Sequence, residues 1–196
     1  GFIMAVEITK RGMKVDITKG NPGLSKIVVG LGWDTNRFGS QNFDLDVSVF
    51  ALNAQGKCSN DKDIVFFNNL AHSSEAIIHS GDEQSGATEG DDETITVDFF
   101  KMPSTIKKIA FVVTIHNAEV FSQNFGMVSN SYVRVVDPIT NRELIKFDLG
   151  EDFSSETSVL ACEVYQHNGE WKFNAVGQGY VAGLGKFVQD YGLTVG

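Results

Sequence analysis

Apolar and polar positions alternate along most of this chain. Val6 and Ile8, then Val15 and Ile17, flank a tight Lys10-Arg11-Gly12 turn, so the pattern predicts an opening hairpin. The run 26–33 reads as another strand. Phe43, Leu45, Val47 and Val49 alternate with Asp44, Asp46 and Ser48, and shorter runs follow at 64–67 and 76–79. Ile95, Val97 and Phe99 alternate with Thr94, Thr96 and Asp98. The run 106–115 is almost continuously apolar and β-branched, as suits a strand buried on both faces. Runs at 132–136 and 144–149 flank the turn signal Asp137-Pro138. Two further runs, 158–166 and 170–176, surround His167-Asn168-Gly169, where Asn-Gly favours a primed hairpin turn because both central residues take positive φ. Helical spacing occurs once, at Leu184, Phe187, Val188 and Tyr191. Many short strands and one late helix predict a mostly β fold, an antiparallel β-sandwich with a short C-terminal helix.

Composition narrows the class. The 196 residues are 42% hydrophobic, with 15 Phe, enough for one sizeable core. No linker or low-complexity stretch divides 4–196, which reads as a single domain, while residues 1–3 ahead of Met4 read as an expression scar. The opening GFIMAVEITK has no apolar leader region, and the longest strongly apolar run, 109–115, is far short of a membrane span. Two distant cysteines, Cys58 and Cys162, together with that opening, lean towards a reducing compartment. A net charge of -9 with no basic stripe excludes nucleic acid as a partner and suits cation binding.

The acidity is concentrated. Between 81 and 99 the chain reads GDEQSGATEGDDETITVDF, with seven carboxylates, four of them in 89–93. Asp44 and Asp46, two apart on a predicted strand, point to one face roughly 7 Å apart. Asn68 and Asn69 end another strand, Asp82 follows a strand end, and Asp91, Asp92 and Glu93 begin the next. If these ends meet at one rim, they form a cup of hard oxygen ligands of the kind calcium takes, six to eight at a time. Zinc would call for His or Cys. The twelve residues from Asp82 to Glu93 do not make an EF-hand: Gln84, Gly86 and Ala87 stand at its third, fifth and sixth positions. The rival reading is a solvated acidic surface. Asp44 and Asp46 weigh against it, because carboxylates on a strand cannot move apart as a loop's can.

Other chemistry is absent or incomplete. Gly177 to Ala182 fits G-x-G-x-x-A, but too little chain follows for a βαβ unit, so these glycines read as the turn that lays the last helix on the sheet. The four His make no metalloprotease pair, and His79 reads as a hydrogen-bonded structural residue near the site. Nothing assembles a nucleophile, a base and an oxyanion hole, so no enzyme is expected.

Eight motifs, in order, resemble the tellurium-resistance TerD family: GLGWD at 30–34, FDLDVSVF at 43–50, FNNL at 67–70, HSGD at 79–82, GDDE at 90–93, VTIHNAE at 113–119, QNFGMV at 123–128 and YQHNGEWKFNAVGQGY at 165–180. The resemblance implies a cytoplasmic bacterial β-sandwich that holds Ca2+ through loop carboxylates and has no enzymatic activity. It also implies a role in tellurite resistance and general stress responses, alongside other proteins of larger complexes near the membrane. By position it carries over Asp34, Asp44, Asp46, Asn68, Asn69, Asp82, Asp91, Asp92 and Glu93 as the metal site. Glu83, Ser85 and Thr88 depart from the family's loop, and Thr88 takes positive φ only at a cost, so a different loop path is expected. The expectation is a calcium-binding stress protein whose cation gates assembly with partners. The alternatives are a calcium-dependent module for lipid headgroups or sugars and, last, a metal-assisted hydrolase.

Overall fold

The computed structural model describes residues 5–34, 43–81 and 90–194. In chain order the strands are β1 (Val6–Ile8), β2 (Lys14–Asp16), β3 (Lys26–Asp34), β4 (Leu45–Leu52), β5 (Ile64–Val65), β6 (Ile77–His79), β7 (Glu93–Asp98), β8 (Lys108–Ile115), β9 (Ser129–Asp137), β10 (Arg142–Asp148), β11 (Ser158–His167), β12 (Glu170–Asn174) and β13 (Gln178–Tyr180). One helix, α1 (Leu184–Asp190), follows. Two sheets face each other. One has the order β1-β10-β9-β3-β7-β6, and the other β2-β12-β11-β8-β4-β5, with β13 added to β11. The predicted sandwich is therefore the observed one. Every ladder is antiparallel except β1 on β10.

The core lies between the sheets. Alternate residues supply it: Ile27, Val29 and Leu31 from β3, Ile95 and Val97 from β7, Val133 and Val135 from β9, and Val47, Val49 and Phe111 from the facing sheet. A second apolar layer explains the continuous run of β8. The outer face of β4 and β8 presents Phe50, Leu52, Ala110 and Val112, and α1 covers it with Phe187. Both cysteines are buried and unbridged. Asn168 and Gly169 both take positive φ, 52° and 79°, as the β11–β12 turn requires.

The opening hairpin does not form. β1 joins β10 in one sheet, while β2 joins β12 in the other. Ile8 and Ile17 are both buried, so the alternation was satisfied by crossing between layers rather than by pairing within one. Among the described residues, no helix is long and apolar enough to cross a membrane.

Strand direction sets the two ends apart. Glu93, which opens β7, lies beside Val47 near the start of β4. β3 ends here at Asp34, and the last residue of β8, Ile115, pairs with Leu45. This end is the acidic rim. The far end holds Phe99 stacked on Trp171, with ring centroids 5.2 Å apart.

Candidate metal centre at the strand ends

The acidic run divides over Asp91, Asp92 and Glu93 as the chain enters β7. Asp91 is fully buried on the outer face of the first sheet. Its carboxylate accepts a 2.6 Å bond from the Tyr132 hydroxyl and lies 3.1 Å from the Arg134 guanidinium at both oxygens. Glu143 holds Arg134 from the other side, at 3.5 Å. Two glycines inside β3 make this possible. A Cβ on Gly30 would sit 2.2 Å from Asp91, and one on Gly32 would sit 2.4 Å from the Tyr132 ring. Burial first, and then the bond to Asp91, drives the Tyr132 phenol upward.

Asp92 remains exposed on that same face. Its Oδ2 accepts the Trp33 backbone N–H at 2.9 Å. Partial burial raises its carboxyl, and the neighbouring Asp34 and Asp91 raise it further, against the lowering effect of the Trp33 bond. Asp34 accepts a 2.8 Å bond from the Asn130 amide. Trp33, Asp34, Asp92 and Tyr132 line a shallow cavity of about 400 Å³, with Lys146 over the Tyr132 ring at 4.9 Å.

Glu93 turns the other way, between the sheets. β5 pairs only with Val49 and Phe50 of β4, so the outward backbone groups of Val47 have no strand partner. They are satisfied from the opposite sheet. The Val47 N–H donates to Glu93 Oε2 at 2.7 Å, and His79 Nε2 donates to the Val47 carbonyl at 3.2 Å. The Gly81 N–H donates to His79 Nδ1 at 2.8 Å, which assigns the proton to Nε2 and leaves the ring neutral. Asp46 stands beside this junction. Burial, then Asp44, then Glu93 push its carboxyl up to about 6. Among the described residues, no Lys or Arg pairs with Asp44, Asp46 or Glu93.

The predicted cup is thus resolved into parts. Asp46 and Glu93 line one groove at the rim, with Asp44 near enough to act on Asp46, and Asp34 and Asp92 line the cavity on the outer face. Asp91 lies between them, committed to Arg134. Asn69 spends its amide on the Ile64 carbonyl at 2.8 Å, and Asn68 is exposed. Neither lines the groove of about 690 Å³ that holds Asp46, His79 and Glu93. Asp82 lies outside the described residues. Among those residues, no three His, Cys, Asp or Glu side chains form a metal-binding group. Two residues that shape the site escaped the sequence reading: Tyr132 and Arg134. The strand-interior glycines Gly30 and Gly32 were the available signal, since such glycines mark a close approach.

A family model described as the TerD domain matches residues 4–191. General stress protein 16U of Bacillus subtilis (strain 168) is 56% identical over 194 residues, covering 98% of this chain and 100% of that protein. Tellurium resistance protein TerD of Serratia marcescens is 44% identical over 191 residues, 97% of this chain and 99% of that one. The crystal structure of a homologue of telluride resistance protein (TerD) from Streptomyces coelicolor A3(2) has a TM-score of 0.66 at 21% identity, covering 88% of this chain and 100% of that chain. That likeness concerns the fold.

Proposed function

This chain belongs to the TerD family of tellurium-resistance and stress-response proteins, and on that premise we propose that it is a calcium-binding member of such a response. In this reading it has no catalysis of its own, acts in the cytoplasm, and works with other proteins of a stress complex near the membrane. One observation carries the reading. Asp46 from one sheet and Glu93 from the other line one groove without a paired Lys or Arg among the described residues, and the charges of Asp44 and Glu93 help hold the Asp46 carboxyl at about 6, above its ordinary 3.8. Such charge is costly until a cation joins it. The donors are hard oxygens, which fit calcium rather than zinc.

Asp44, Asp46 and Glu93 would hold the ion; Asp82, to which the sequence also points, lies outside the described residues. Asp34 and Asp92 form a second, outer pair of donors. When bound, the ion supplies the positive charge the rim lacks. The chain's own residues do the rest. Glu93 and His79 tie the two sheets together at Val47, and Asp91 anchors the acidic run through Arg134. Partners would then meet a rim whose charge depends on calcium.

Calorimetric titration of calcium into metal-stripped protein tests this, beside the double variant Asp46→Asn, Glu93→Gln. Saturable heat that the variant loses is expected. A wild-type protein that binds no calcium sinks the reading.

A further inference from the structure

Two surface features at opposite ends of the sandwich are left uncovered by the described residues. One is a knob. Phe100 is 82% exposed in the turn after β7. Asp98 Oδ1 accepts the N–H groups of Phe100 and Lys101 at 3.0 and 3.3 Å, which fixes that turn. Phe99 is consumed by its stack on Trp171, so its neighbour projects outward. Lys101 makes an exposed 3.6 Å pair with Glu75. The other feature is the groove at the acidic rim. Its wall is apolar, with Phe67 at 59%, Leu70 at 44% and Ile78 at 41% exposure. Asp46 and Glu93 line it beside that wall.

We propose that the groove receives the Phe100-Lys101 turn of a second copy of this chain, Phe100 against Phe67, Leu70 and Ile78, and Lys101 against Asp46 and Glu93. Charge decides the polarity. A rim-to-rim contact would face like charges, whereas the far end brings Lys101 to the carboxylates. The contact is heterologous, so it propagates head to tail rather than closing as a two-fold dimer. One aromatic anchor and one ion pair make a small interface, and such contacts are weak. The proposal does not depend on calcium binding, since the ion would act only as a competitor for the same carboxylates.

Sedimentation equilibrium in chelator tests it, from roughly micromolar to millimolar protein, the range of a weak contact. The weight-average mass of wild type is expected to climb with concentration past that of a dimer. Phe100→Ser and Phe67→Ser remove exposed side chains, and each should sediment as a monomer, as should Lys101→Glu. A one-to-one mixture of Phe100→Ser with Phe67→Ser retains one intact knob and one intact groove. It should form dimers and nothing larger. A wild type monomeric throughout overturns the proposal, as does association untouched by these substitutions, or a mixture no heavier than its components.

Discussion

Asp91 and Glu93 are two residues apart and carry the same charge, yet they stand in opposite electrostatic situations. Asp91 is wholly buried and answered from within the protein by Arg134 and Tyr132. Glu93 shares a groove with Asp46 at the rim, where the nearest answering side chain is a neutral His79 at 3.7 Å. A charge neutralised internally is part of the architecture. A set of charges left to repel one another is a place for something else. The acidic run serves both purposes because its residues face different surfaces of one strand end.

The comparison breaks most visibly at the buried pair. Arg134→Met takes the guanidinium away from the buried Asp91 carboxylate, and a loss of about 3–5 kcal/mol is expected in urea unfolding. Replacing both partners by apolar residues should restore much of it. A loss below about 1 kcal/mol for the single variant would mean that Asp91 is not held as a buried charge. At the rim, the corresponding test adds charge rather than removing it. Calcium at a hundredfold excess over Kd should stabilise wild type by about 2.7 kcal/mol relative to chelator. Asp46→Asn with Glu93→Gln should abolish that difference, and equal stability of wild type in both buffers would erase the contrast.

A smaller effect sharpens it. In chelator, Asp46→Asn should stabilise the protein at pH 7 by about 1 kcal/mol, after allowance for the partial exposure of the site. The folded carboxyl keeps its proton up to about 6, and an ordinary one releases it near 3.8. The folded state therefore binds more protons in that window, and wild-type stability falls as pH rises through it. Below the window the variant's advantage should vanish, and above it the advantage should stay constant. Unfolding curves across pH 3 to 8 check this, and a gain that grows on acidification would reverse the assigned sign. Smallest of all, Asp34→Asn on the exposed outer face should shift apo stability by less than about 0.5 kcal/mol.

Local rules made much of the fold legible. The Asn168-Gly169 turn, the continuous run of β8 and the spacing of α1 each depend on residues a few positions apart. The opening hairpin was misread because alternation reports that Ile8 and Ile17 face inward, and a sandwich offers two inward faces. The same limit applied to the site. Asp44, Asp46, Asp91, Asp92 and Glu93 were visible as a density of charge. Nothing near them in sequence distinguished Asp91, whose partner lies 43 residues away. Asn68 and Asn69 had donor chemistry, but β5 claims the Asn69 amide.

By itself the sequence determined the class of fold, the position of the acidic loops at strand ends and the family to which the chain belongs, because periodicity, turn chemistry and ordered motifs are properties of the chain alone. Only the tertiary structure decided which carboxylates are neutralised and which are left exposed to one another. Compensation of charge is a matter of distance in space. Here that distance is set by two glycines in β3 that admit Asp91 beneath Arg134, and by a short β5 that leaves Val47 to Glu93 and His79.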